Sequence, residues 1–123
     1  MCNFNELFKK TMPCAESESL ENKRIKGIKK IKDIVPLCSR FKIGKTGQDL
    51  KARFDSEYKE RYDRIEEVHS SSKKKEVDKL EKDLIEYFQN SDEYSSKCDN
   101  EQTGGGEMDI ESGTYFIYVV VKD

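Results

Sequence analysis

The sequence predicts an α+β domain, a small and mainly antiparallel sheet of three strands flanked by helices. Three observations carry that expectation. Residues 20 to 35 and 73 to 89 bring apolar side chains round at three- and four-residue steps, the period of a helix with one buried face. Around Phe41 long polar and apolar side chains alternate, and "RIEEVHSSS" is a second strand-like segment bounded by turn residues. Last, "TYFIYVVVK" runs without a turn residue and is apolar at almost every position, the signature of a central strand buried on both faces.

Length and composition allow one domain. The chain has 123 residues, 39% of them charged and 34% apolar, so its core is small and its surface densely ionic. Residues 1 to 18, mixed in character around Pro13, read as a tail or a short helix laid on the domain, and residues 19 to 123 form the domain itself.

Within it the first helix starts near Ser19. Leu20, Arg24, Ile28, Ile31 and Val35 mark its buried stripe with Ile25 and Ile34 beside them, and Pro36 ends it. Its polar face carries Lys23, Lys26, Lys29, Lys30 and Lys32. A strand follows from about Leu37 to Lys45. "TGQD" is then a turn that caps a helix from Asp49 or Leu50 to about Arg61. After "RIEEVHSSS", the serines 70 to 72 are expected to cap a third helix from about Lys73 to Gln89. A long polar loop with three consecutive glycines leads to the last strand. That strand must be covered, so residues 39 to 45 should pair antiparallel with residues 114 to 121, with the Lys73 to Gln89 helix on one face.

Several function classes drop out. No run of eighteen apolar residues and no leader-like start is present, which points to a cytoplasmic protein with no membrane partner. Cys2, Cys14, Cys38 and Cys98 lack paired spacing, so they read as free thiols rather than as zinc ligands or disulfides. Gly44-Lys45-Thr46 ends like a phosphate-cradling loop, but such a loop needs glycine five places earlier, where Ser39 stands. The alternation through Arg40 to Ile43 is strand-like instead.

The charge is polarised along the chain. Residues 23 to 53 hold eleven Lys and Arg against two Asp and Glu, while residues 54 to 123 hold ten against nineteen. A basic half inside an acidic protein suits a phosphate-bearing partner gripped on one face. One carboxylate is out of pattern: Glu81 falls within the apolar stripe of Val77, Leu80, Leu84, Ile85 and Phe88. Burying it unpaired would cost several kcal/mol, so a metal ion or a cationic side chain is its expected partner.

"KIGKTGQDLKAR" resembles the second half of the GIY-YIG nuclease signature: a strand ending in glycine-x-threonine, then a leucine, then an arginine nine residues past the glycine. Gly44, Thr46, Leu50 and Arg53 occupy those places, and "KLEKDLIEYF" puts Glu81 where the family holds its metal. The resemblance covers about residues 37 to 90. Lys42 stands in place of the signature's second tyrosine and could deprotonate water in its stead. The first tyrosine is best matched by Tyr115 in "GTYFI", displaced to the far end of the chain in a permuted arrangement; Lys29 in "GIKKIK" is the alternative.

The resemblance implies a metal-dependent endonuclease acting on DNA. Glu81 would hold Mg²⁺, or another divalent ion such as Mn²⁺, while Lys42 and Tyr115 act on the attacking water and Arg53 on the charge at phosphorus. Lys26 and Lys30 on the basic helix, Lys45 and Thr46 at the strand end, His69, and Asn100 in the polar loop are the expected substrate contacts. The incomplete tyrosine pair also fits a non-catalytic nucleic-acid- or protein-binding module of the same fold, and the acidic half fits an inhibitor that mimics DNA.

Overall fold

The computed structural model describes residues 19 to 101 and 113 to 123; the tail or helix expected at residues 1 to 18 and the three glycines of the long loop lie outside them. Helix α1 spans Leu20–Ile34, its Ser19 cap accepting the Asn22 N–H at 3.1 Å. Its buried face is Gly27, Ile31 and then Val35, whereas Ile25 is 53% exposed. The stripe thus centres on the glycine. A β-carbon there would meet both Leu84 methyls at 3.2 Å, so the missing side chain lets α1 lie close against the third helix.

Strand β1, Arg40–Thr46, leads through a turn into α2, Leu50–Arg53, whose cap Asp49 accepts the Ala52 N–H at 3.1 Å. α2 runs directly into a π-helical turn, Phe54–Tyr58. Strand β2 is Arg64–Ser71 and α3 is Lys74–Gln89. The serines do not cap α3 as expected. Ser70 and Ser71 end β2, Ser71 Oγ accepts the Lys73 N–H at 3.0 Å, and Lys73 occupies the cap position without a side-chain bond. Strand β3 is Tyr115–Lys122.

The sheet order is β1-β3-β2, antiparallel throughout. Lys42 lies opposite Val120 and Gly44 opposite Tyr118, so the pairing expected from sequence is present and its register is defined. β3 is the central strand and both its faces are covered. Tyr115, Ile117, Val119 and Val121 enter the larger core with α1 and α3, while Tyr118 and Val120 join Tyr58 and Tyr62 in a smaller cluster on the other face. Cys38 and Cys98 are free thiols, and among the described residues no helix is long and apolar enough to cross a membrane.

The outer edge of β1 is closed by the segment after α3. The Phe41 N–H donates to Lys97 O at 3.0 Å and the Asp99 N–H to Phe41 O at 2.8 Å. One rung on, the Asn100 side chain does the same work: its Oδ1 accepts the Ile43 N–H at 2.9 Å and its Nδ2 donates to Ile43 O at 2.8 Å. An edge strand so covered is not a template for another chain.

A polar cluster ties three elements together. Glu76 of α3 accepts from Lys23 Nζ of α1 at 2.7 Å and lies 2.9 Å from His69 Nε2 of β2. Burial disfavours its charge, yet the hydrogen bonds from Lys23, His69 and Ser71 hold its pKa down at about 2, against 4.5 for a free carboxyl. Because the folded value is the lower one, the stabilisation is complete above pH 4.5 and is lost as pH falls toward 2. Denaturant titrations at a series of pH values should show stability dropping across that window, with Glu76 responsible for up to about 3 kcal/mol. Glu76→Gln should flatten the slope.

Candidate functional site

A cleft of about 650 Å³ opens along β1, between α2 and the segment that closes the strand's edge. Both faces of β1 contribute to it. From one come Lys42, Gly44, Arg53 and Tyr118; from the other come Lys45 and Glu81, with Asn100 at the edge between them.

Glu81 lies in the α3 stripe as the periodicity requires and is 5% exposed. Its partner is a cation: Lys45 Nζ stands 3.7 Å from Glu81 Oε1 and 2.8 Å from Asp78 Oδ1. Lys45 is itself buried, so each charge is sheltered by an opposite one, the condition for keeping either inside.

On the other face the arrangement turns on Tyr118. Arg53 Nε donates to its hydroxyl at 3.3 Å, and the same hydroxyl shares a 2.7 Å hydrogen bond with the Tyr58 hydroxyl. The Arg53 guanidinium also lies 5.5 Å from the centre of the Tyr58 ring. Arg53 and Tyr58 are five residues apart, and the π-helical turn brings them to one side. Burial, reinforced by Tyr58, pushes the Tyr118 pKa far up against the opposing pull of Arg53. The phenol stays protonated at neutral pH and serves as a hydrogen-bonding post for Arg53 rather than as a base.

Of the residues singled out from sequence, Lys42, Lys45, Arg53, Glu81 and Asn100 line the cleft. Tyr115 does not. It sits on the opposite face of β3 with Ile117 and Val119, inside the larger core, and the tyrosine at the cleft is Tyr118, three residues on. Lys29 is no substitute, being exposed on the helix α1. Thr46 is fully buried and its Oγ1 accepts the Gln48 N–H at 3.0 Å, which shapes the turn into α2. Lys26 and Lys30 are exposed on α1, away from the cleft lining, and His69 is engaged with Glu76.

The cleft also contains residues that the sequence did not single out, chiefly Arg40, Tyr58, Arg61, Tyr62 and Asp99. Five cationic side chains line it against three carboxylates, Glu81, Asp99 and Glu101. Among the described residues no three His, Cys, Asp or Glu side chains gather as a metal cage. Comparison with protein-family models, curated proteins and solved structures finds no match to the chain.

Gly44 is the tightest point of the site. A β-carbon there would come within 2.8 Å of Tyr118 Cε1 and closer still to its hydroxyl. Tyr118 is 1% exposed and has no room to retreat. Gly44→Ala should therefore cost about 1–3 kcal/mol in urea denaturation and loosen Arg53 from its post. An unchanged midpoint would show that the ring is less confined than its packing implies.

Proposed function

We propose that the chain is a metal-dependent endonuclease that hydrolyses DNA phosphodiester bonds, in keeping with its resemblance to GIY-YIG nucleases. One observation carries the reading: Lys42, Arg53 and Glu81, chosen from sequence for their spacing, share a single cleft together with a tyrosine that holds the arginine. Tyr118 takes the place assigned from sequence to Tyr115.

In this reading the residues divide the work. Lys42, half-buried on the cleft wall, orients the attacking water and takes up its proton. Arg53 presents guanidinium N–H groups to the phosphoryl oxygens as charge builds there, and Tyr118 keeps the planar group from swinging away. Glu81 would hold the divalent ion, which supplies charge neutralisation at a phosphate oxygen. Lys45 beside Glu81 reduces the attraction of that carboxylate for a cation, so metal affinity should be weak until substrate phosphate joins the site.

Lys45 also supports a second reading. An ammonium that already compensates Glu81 is what a phosphate-binding module without catalysis would keep. Nicking of supercoiled plasmid in Mg²⁺ and in Mn²⁺ separates the two. Lys42→Ala, Arg53→Ala and Glu81→Gln should each lower a measured nicking rate by about a hundredfold or more. Glu81→Gln should melt within about 1 kcal/mol of the parent, because Lys45 keeps Asp78 and is not stranded. A parent protein that nicks no substrate in either ion would overturn the enzyme reading and leave the binding module.

A further inference from the structure

We infer that Arg40, Arg61 and Arg53, each seated on a tyrosine ring, form a track that grips successive backbone phosphates of a nucleic-acid strand and leads it into the cleft without reading its bases. The inference rests on the nuclease reading for what happens at the end of the track, and on geometry alone for the track itself.

The groups alternate in space. Arg40 Cζ lies 5.7 Å from the centre of the Tyr62 ring, Arg61 Cζ lies 5.9 Å from Tyr62 and 5.8 Å from Tyr58, and Arg53 Cζ lies 5.5 Å from Tyr58. The two rings stand edge to face with centres 5.8 Å apart. Arg61 thus bridges the two rings, and the order is arginine, tyrosine, arginine, tyrosine, arginine. All five line the cleft.

Both rings are clamped at their hydroxyls. Tyr62 donates to Asp99 Oδ2 at 2.6 Å, and Tyr58 shares its hydrogen bond with Tyr118. The same Asp99 oxygen meets Arg40 Nε at 3.4 Å, which turns that guanidinium by its inner nitrogen. Fixed rings under flexible arginines reduce the conformational freedom those arginines lose on binding a ligand.

Exposure tells which part faces the ligand. Tyr58 and Tyr62 are each 4% exposed, so no base can stack on them, whereas Arg61 is exposed and the Arg40 side chain is 50% exposed. The surface offered is therefore guanidinium, suited to phosphate and blind to base identity. A succession of such groups, alternating with the rings that carry them, suits a ligand whose charges recur along a strand. The basic face of α1, with Lys26 and Lys30, lies outside the cleft lining.

The test is equilibrium binding of a labelled DNA duplex by fluorescence anisotropy, in EDTA so that nothing is cut, across a series of salt concentrations. Arg40→Gln with Arg61→Gln should lower the magnitude of the log–log salt slope by about 2 and weaken binding roughly tenfold or more at low salt. Lys26→Glu with Lys30→Glu should shift either quantity far less. A·T-rich and G·C-rich duplexes should bind within about threefold of each other. Should the double glutamine variant fail to fold, each single substitution, expected to lower the slope by about 1, carries the same test.

A parent that binds while the glutamine variants keep its affinity and slope overturns the track, and so does a parent that binds no DNA or binds polyglutamate equally well. The nuclease reading fails separately: a protein that binds as described yet nicks nothing in Mg²⁺ or Mn²⁺ keeps the track and loses the enzyme. A protein that nicks while the variants bind normally does the reverse.

Discussion

Among the described strands, every pairing is made to β3. β1 and β2 each pair with β3 and not with each other, so both take their strand-to-strand hydrogen bonds from the same eight residues, Tyr115–Lys122. The strand also serves two cores at once. Its odd-numbered residues enter the cluster under α1 and α3, and Tyr118 and Val120 enter the aromatic cluster with Tyr58 and Tyr62. A continuous apolar strand can do this because both its faces are withdrawn from water. The site inherits that dependence, since the register of β1 against β3 is what sets Tyr118 over Gly44.

The cleft is built at the boundary of the sheet rather than over its middle. β1 is an edge strand whose outer hydrogen bonds are met first by main chain at Phe41 and then by the Asn100 amide at Ile43. Side chains from both of its faces can therefore reach one space, which a central strand would keep apart. Glu81 and Lys45 arrive from the α3 side and Lys42, Arg53 and Tyr118 from the α2 side. The two sides differ in chemistry. One is a buried ion pair in which each charge answers another, and the other is an aromatic shelf that carries arginines.

The fold was legible because its signals are local. Helical period, alternation, and the capping residues Ser19 and Asp49 lie within a few positions of what they determine. Glu81 was legible for the same reason, as a charge inside an apolar stripe. Tyr115 was chosen by its spacing from a glycine, whereas the deciding quantity is alternation along β3, and an unbroken apolar run hides which residues share a face. Only the register against Lys42 and Gly44 shows that Tyr118 is on their side. Arg40, Tyr62 and Asp99 were invisible because they come from three separate segments and meet only in the folded chain. Gly27 was not singled out, yet its lack of a side chain is what lets α1 lie close against α3.

The π-helical turn at Phe54–Tyr58 carries one residue more than an α-helix would use to cover the same ground. In an α-helix the side chains that share a face with Arg53 would be those three and four positions on, Ser56 and Glu57. Here the partner is at the fifth, Tyr58. A search pattern written for a regular helix would therefore look for an aromatic residue at position 57 and find an acid. The surplus residue also makes the segment intolerant of length change: deleting any one position between Phe54 and Glu57 would restore the regular ladder and bring the tyrosine to the fourth position. The neighbours of its ring and hydroxyl, Arg53, Arg61, Tyr62 and Tyr118, are matched to the longer count.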